Sequence, residues 1–392
     1  MSTRRDVSPR FGGKCAVSLF ALTLVAFVAE SQLTQYVQTT LHYRQPLFIF
    51  YIVHSSFWII FPLHFAYLIA TTNYSASELW RKLTIAITSH LSPHEHLESS
   101  SFPSLRFFSL TLGLTVGVTV PALLWFVAIS LASVRDVTAI WNTNAFFAYI
   151  ITVKLFNMKW EPRRLSAVFL ATAGVLAVVY GGTTVEANLS LEASVATPSI
   201  KFSAPLVGDL LTLVASVTYG FYQVLYKKYA ALPSDPSELI YHEVPREEPA
   251  FDSPSETSPD DSTAPVPFGL YANLLTSVIG LLTLAVVWIF IPICHYLNVE
   301  TFMLPANLTT WFVIAGITLG GVVFNSGLMV LLGLWGPIVT SVGNLLTIVL
   351  IFMTDLTFGA GPETLTPWSL VGCSVIVAAF SVLAYDMFSR RS

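Results

Sequence analysis

An all-α membrane protein of ten transmembrane helices, arranged as two inverted five-helix repeats, is the fold class this sequence predicts. Three observations carry the prediction. Only 11% of the 392 residues are charged and 54% are hydrophobic, whereas a soluble domain carries roughly a quarter charged residues. Ten apolar stretches each approach the length of about 20 residues that crosses a bilayer core. The loop at 182–204 divides them five and five, and an odd number of crossings brings the second set in from the opposite face.

The stretches run near 14–35, 46–70, 105–132, 137–156, 165–181, 205–226, 268–291, 309–332, 338–358 and 367–387. Residues 1–13 form a cytosolic tail, 14–181 the first repeat and 182–204 a luminal loop. The second repeat opens with 205–226 and resumes over 268–388, leaving 389–392 as a cytosolic tail. Arg4, Arg5, Arg10 and Lys14 precede the first stretch as they would a signal peptide. No small-residue cleavage site follows, and Glu30, Gln32 and Gln35 continue the same helix, so the stretch reads as an uncleaved span.

Basic residues orient the chain, since Lys and Arg concentrate on the cytosolic side. With the N-terminus cytosolic, all of the 19 except Arg44, Arg135 and Lys201 fall inside, and both termini face the cytosol. Three N-x-S/T sequons bear on this topology. Asn188 and Asn307 are expected in the lumen, available for glycosylation, and Asn73 in the cytosol.

Between the sixth and seventh stretches, 227–267 reads as a disordered acidic linker. Residues 231–267 hold nine acids against one arginine, with eight prolines, too little apolar surface to fold. Ser253-Pro254 and Ser258-Pro259 are candidate phosphorylation sites. "DPSELI", Asp235 to Ile240, fits an acidic-dileucine signal and favours the vacuolar membrane over the Golgi.

The halves share a pattern. Gly113-x-x-x-Gly117 lies in the third stretch and Gly316-x-x-x-Gly320 in the eighth, the third of its half. Each precedes by a little over twenty residues the opening of the next stretch, at Asp136 and Pro337. A mid-helix asparagine follows eight or seven residues on, Asn144 and Asn344. Small-xxx-small pairs let helix backbones approach closely.

Six segments carry a family likeness. "SVRDVTAIWNTNAFFAYIITVKLF" and "RRLSAVFLATAGVLAVVYGG" resemble the fourth and fifth helices of the drug/metabolite transporter superfamily. The likeness is to its EamA-type, solute-carrier-35-like branch, which includes fungal vacuolar membrane proteins. "AESQLTQYVQ", "YRQPLFIFYIVHSSFW", "GDLLTLVASVTYGFYQVLYKKY" and "SVGNLLTIVLIFMTD" are similar to its first, second, sixth and ninth helices. The resemblance implies two inverted halves, transport by alternating access, a cavity lined by helices 1–4 and 6–9, and peripheral helices 5 and 10. The chain departs from the family at Asn157-Met158-Lys159, where a Gly-Glu pair is common, and at Ala145, where a proline is common.

Polar groups inside the membrane indicate where a site forms. An ionised group at the bilayer centre costs roughly 2.5–3.5 kcal/mol on insertion scales, so such groups turn to a cavity or a partner. Asn142 and Asn144 lie about 9–12 Å into the fourth helix at 1.5 Å per residue, and Asn344 lies at similar depth in the ninth. Asn142 and Asn144 point about 200° apart, at 3.6 residues per turn, so one of them faces the cavity. Glu30 and Gln32 in the first helix and Asp209 in the sixth complete the polar candidates, with Glu30 placed to bind a proton or a cation. Trp125, Trp141, Tyr149, Tyr219 and Tyr222 offer rings that stack on a planar solute. Asp136 is expected to complement the fourth helix's N-terminal dipole, and Lys154 and Asp355 to snorkel from span ends.

Several classes are excluded or disfavoured. A net charge of −4 offers no basic surface for nucleic acid. The chain has no H-E-x-x-H or P-loop, so a membrane-embedded enzyme is disfavoured, and no cofactor or metal is implied. His54 and His64 are ten residues apart and share no face, while His90, His94 and His96 fall in a cytosolic loop broken by Pro93. Cys15, Cys294 and Cys373 imply no disulfide framework, with Cys15 and Cys373 expected inert inside packed helices. The expected activity is secondary transport of a small polar metabolite, neutral or cationic, with proton coupling. Its expected partners are that solute, protons and the lipid bilayer, a homodimer being left open. A nucleotide-sugar or phosphorylated solute is the alternative cargo, and a structural or receptor-like membrane protein the alternative class.

Overall fold

A computed structural model describes residues 13–92, 102–132, 134–180, 204–232, 266–358 and 367–389. All regular structure among them is helical. In chain order the helices are α1 Gly13–Thr39, α2 Pro46–Ser55, α3 Ile60–Thr71, α4 Ala76–Leu91 and α5 Ser104–Leu131. There follow α6 Val134–Asn142, α7 Asn144–Leu155, α8 Pro162–Tyr180, α9 Ala204–Leu225, α10 Leu270–Val286 and α11 Phe290–Tyr296. The last three are α12 Leu308–Asn344, α13 Leu346–Phe358 and α14 Pro367–Ser389. These resolve into the ten expected stretches, and five segments are long and apolar enough to cross a membrane by those criteria alone. The molecule is a multi-pass helical membrane protein.

Prolines explain two of the interruptions. A 3-10 turn at Ser56–Ile59 separates α2 from α3 one turn before Pro62, and another at Val287–Ile289 separates α10 from α11 before Pro292. Proline has no N–H and its ring clashes with the carbonyl four residues back, so the ladder must loosen there. In the second span Ser277 of α10 fills the gap. Its hydroxyl accepts from Phe61 N at 2.8 Å and donates to Phe57 O at 3.1 Å.

α12 is two spans joined at Gly336. That residue has φ 78°, ψ 173°, a conformation open to glycine, and Pro337 follows it. Thr340 Oγ1 consequently reaches back to Leu331 O at 3.3 Å, although nine helical residues would span about 13.5 Å. α1 packs along the whole hairpin, with Thr23 and Leu19 against Gly327 on one limb and Phe20 against Gly343 on the other.

The spans pair reciprocally. α1 lies on the first limb of α12, α5 on α9, the α2–α3 span on α10, and α8 on α14. The backbones of α8 and α14 cross closely, since a Cβ at Gly174 would stand 2.9 Å from Gly372 O. These two share a core with α7 and the second limb of α12, separate from the larger core around α1, α5, α9 and α10.

The two ends of the bundle differ chemically. At one, Lys228 Nζ donates to Leu155 O at 3.3 Å, Lys227 Nζ to Gly333 O at 2.9 Å, and Arg106 to Leu91 O at 3.0 Å, so cations meet helix C-termini as the dipole favours. At the other, Glu300 binds the start of α2 (below). Asn73 is exposed at the first end and Asn307, the N-cap of α12, at the second; Asn188 lies outside the described residues.

α4 corrects one expectation, because part of the supposed loop is an amphipathic helix. Ser75 Oγ caps it, accepting from Glu78 N at 3.2 Å, in the S-x-x-E pattern of a capping box. Leu79, Leu83 and Ile87 recur on its buried face, and Lys82 pairs with Glu78 at 3.4 Å while lying over the Tyr74 ring. His90 occupies its last turn, with Nε2 3.1 Å from Tyr229 O; His94 and His96 fall outside the described residues. Cys15 corrects another: it is exposed on α1 rather than packed, and Cys373 is half-buried.

Candidate binding cavity

Where α1 meets the first limb of α12, two adjacent glycines make room for a carboxylate. A Cβ at Gly320 would stand 3.1 Å from Ala26 O, and one at Gly321 3.0 Å from Glu30 Oε1. Lacking both, α12 closes onto α1 at the level of Glu30. The Glu30 side chain is buried, 4% exposed, and lines a cavity of about 40 Å³. No described residue forms an ion pair with it.

Two further polar residues face this cavity: His54 from α2 and Asn325 from α12. Asn325 Nδ2 donates to Gly321 O at 2.9 Å, which leaves its oxygen as an acceptor. The His54 ring packs between Phe50, centroids 4.2 Å apart, and Phe57 at 4.7 Å. Neither was expected as a site residue. His54 carried the signal, an ionisable group within an apolar span; it is concealed when histidines are sought only as pairs on one face.

Aromatic rings form the rest of the wall. Trp125 of α5, Trp141 of α6 and Tyr219 of α9 all line it. Their rings form a chain, Trp125 to Trp141 at 6.5 Å and Trp141 to Tyr219 at 4.5 Å. Both indole N–H groups are buried without a partner among the described residues, and the Tyr219 hydroxyl is buried beside Gln223. The set thus offers one carboxyl, an imidazole, an amide oxygen, two indole donors and a hydroxyl among π faces, and the lining contains no lysine or arginine. A water needs at least 10–15 Å³, so this conformation holds a few waters, well short of the roughly 300–1,000 Å³ of small-molecule pockets.

The structure brings Glu30, Trp125, Trp141 and Tyr219 to the cavity and places the other predicted residues elsewhere. Asn142 and Asn144 flank a break in the fourth span at Thr143 and are not among the lining residues, whereas Trp141 is. Each amide bonds its own helix: Asn142 Nδ2 to Thr138 O and Asn144 Nδ2 to Trp141 O, both at 2.7 Å. Both Oδ1 atoms remain without a protein partner. Asn344 ends α12 beside a similar break at Leu345, its Nδ2 unpartnered. Tyr222 is one turn beyond Tyr219, packed on Gly117 with its hydroxyl 3.0 Å from Met329 Sδ. Tyr149 belongs to the smaller core, its hydroxyl donating to Glu161 O at 3.3 Å. Gln32 faces α13, 3.4 Å from Thr354 Oγ1. Asp209 sits in the second turn of α9, half-buried. Asp136 lies in the first turn of α6, as the dipole argument expects, and Lys154 is exposed near the end of α7.

The class these features define is a multi-pass membrane protein with a polar, aromatic-walled cavity inside its helical bundle. No protein-family model matches the chain. The thiamine-repressible mitochondrial transport protein THI74 of Saccharomyces cerevisiae (strain ATCC 204508 / S288c) is 23% identical over 377 residues, covering 93% of this chain and 90% of its own length. Among solved structures, a crystal structure of a protein covers 95% of this chain and 98% of its own at 12% identity, with a TM-score of 0.49, too loose a superposition to argue from.

Proposed function

We propose that this protein is a secondary-active transporter that moves a small polar metabolite by alternating access, with Glu30 as the coupling carboxyl. The observation that carries the reading is Glu30 itself: a buried carboxyl with no cationic partner among the described residues, turned to a cavity inside a membrane bundle. A charge so placed requires a cation, a proton or water to be tolerated. The near full-length likeness to a transport protein supports the same class rather than an enzyme. Because the lining lacks lysine and arginine, it favours a neutral or cationic solute over a phosphorylated one or a nucleotide sugar.

In this reading residues 14–181 and 205–388 are inverted halves joined by the 182–204 loop, with the 227–267 linker inserted after the first helix of the second half. Support comes from the reciprocal packing of α1 on α12 and α9 on α5, and from the paired breaks at Thr143 and Leu345. Discontinuous helices at the midplane recur in secondary transporters. Trp125, Trp141 and Tyr219 contact the solute beside Glu30. Asn142 and Asn144 shape the break that positions Trp141, and Asn344 and Tyr222 serve a second shell of contacts. The relative is designated mitochondrial, whereas the Asp235–Ile240 signal favours the vacuolar membrane; imaging of a tagged chain distinguishes them.

Uptake into proteoliposomes of a panel of labelled amines, vitamins and amino acids, with and without a pH gradient, tests the proposal. The expected result is gradient-driven accumulation that Glu30→Gln abolishes. Accumulation indifferent to both the gradient and Glu30 overturns the coupling, and a preference for phosphate-bearing solutes overturns the substrate class.

A further inference from the structure

Beyond Glu30, the inner face of α1 continues to carry polar groups that have no hydrogen-bond partner among the described residues. Phe27, Ser31, Thr34 and Gln38 recur at spacings of four, three and four, which places them on one side of a helix. All four are buried. Ser31 Oγ, Thr34 Oγ1 and both polar atoms of Gln38 have no protein partner. Leaving a buried polar group unpaired costs about 1–3 kcal/mol, so four such atoms in a row mark a surface that water or solute covers in another conformation. The stripe begins beside Phe27 at the cavity wall and climbs about 16 Å, at 1.5 Å per residue, to the end of α1.

At that end the two halves of the chain are fastened. α2 has no cap from its own preceding residue, Gln45. Instead Glu300, from the segment before α12, accepts from Leu47 N at 3.0 Å and Phe48 N at 3.3 Å. Gln45 Nε2 donates to Thr301 O and Tyr43 OH to Met303 O, both at 2.8 Å. The Tyr43 backbone N–H in turn bonds Val37 O at 3.0 Å, the residue next to Gln38. The fastening therefore sits directly over the top of the stripe.

We propose that Ser31, Thr34 and Gln38 form one half of the solute path, leading from the Glu300 end of the bundle to Glu30, and that the Glu300 clamp closes its mouth. The proposal rests on the transport reading, but its test does not require transport. In a chain with Cys15, Cys294 and Cys373 replaced by serine, Thr34→Cys and Gln38→Cys report access to a membrane-impermeant maleimide applied at the Glu300 end. Val25→Cys, on the exposed face of α1, is the reference.

Removing the cap with Glu300→Ala is expected to accelerate labelling of Gln38→Cys and Thr34→Cys at least fivefold without changing Val25→Cys. Glu300→Gln, which keeps an acceptor, leaves labelling slow. If Glu300→Ala does not fold, Tyr43→Phe decides, with about a twofold acceleration expected from losing one hydrogen bond. Labelling of the two reporters that stays at the parent rate in the folded variants overturns the path and its clamp. Accelerated labelling in a protein that moves no solute leaves the path standing and refutes the transport reading instead.

Discussion

The breaks in the fourth and ninth spans invite comparison, because they have the same backbone form and opposite chemistry. At each, one residue falls out of the α-helical ladder and i→i+3 bonds take over: Thr143 N to Ile140 O and Phe146 N to Thr143 O, against Leu345 N to Val342 O and Ile348 N to Leu345 O, at 3.0–3.1 Å. Helix α9 touches both. Ser216 Oγ meets Thr143 Oγ1 at 2.8 Å, and Gln223, two turns on, accepts from the Ser341 hydroxyl. In the fourth span, however, two amide nitrogens are turned back onto carbonyls, which can only accept, so two oxygens point outward. In the ninth the orphan is a nitrogen, Asn344 Nδ2. Similar kinks thus present acceptors in one half and a donor in the other. Only the fourth span also contributes to the cavity wall, through Trp141. Two breaks of like backbone form thus stand in different chemical surroundings.

The strongest way to break this comparison is to separate α9 from the fourth span. A Cβ at Gly220 would lie 3.1 Å from both Asn144 O and Ala148 N, and overpacking of this kind costs about 1–3 kcal/mol. Gly220→Ala is expected to lower the melting temperature of the detergent-solubilised protein and to reduce uptake. Gly113→Ala, where a Cβ meets open space, leaves both unchanged.

Next in size, Asn144→Ala loosens the support behind Trp141 by removing one hydrogen bond, worth about 1 kcal/mol. Uptake is expected to fall about tenfold, a change of about 1.4 kcal/mol, with folding preserved. Asn344→Ala is expected to cost less than about twofold, because no ninth-span residue lines the cavity; equal losses would show that the halves are functionally equivalent.

A smaller effect comes from pH at the clamp that ties the halves. Burial raises the Glu300 carboxyl above its ordinary value of 4.5, against the lowering pull of the Leu47 and Phe48 N–H groups. The closed clamp therefore binds the proton more tightly than a released, solvated Glu300, and acidification favours closure. Labelling of Gln38→Cys, corrected for the pH dependence of the thiol's own reaction, is expected to slow as pH falls through the raised value toward 4.5, and to lose that slope in Glu300→Gln. His42, Tyr43, Arg44 and His295 are the other titratable or charged side chains on the two segments, and a corrected slope that persists in Glu300→Gln overturns the assignment to Glu300. Smallest of all, Ser216→Ala forfeits its bond to Thr143, about 0.5–1.5 kcal/mol; a double-mutant cycle with Thr143→Val measures the pair.

Much of the fold was legible in the sequence because lipid imposes a length and a polarity that apolar runs display directly. All ten stretches reappear as helices, with ends displaced by a few residues. Glu30 was legible for the same reason, as a charge where hydrocarbon penalises one. α4 was hidden, since its charged face and Pro93 read as a loop while its apolar face is filled only by packing. The kink at Thr143 was likewise unmarked by any proline. Asn142 and Asn144 were visible as polar, but sequence could not say that their nitrogens would bond their own helix and leave Trp141 to the cavity. His54 and Asn325 join Glu30 only through the approach of α2 and α12 to α1, a long-range property.

Ser277 has a mechanical consequence. The hydrogen bond missing from the second span ahead of Pro62 is completed by a side chain of the seventh, so neither span can flex at that level without disturbing the other. One belongs to each half of the chain. The loosened turn of the second span is thereby geared to its neighbour through a single hydroxyl.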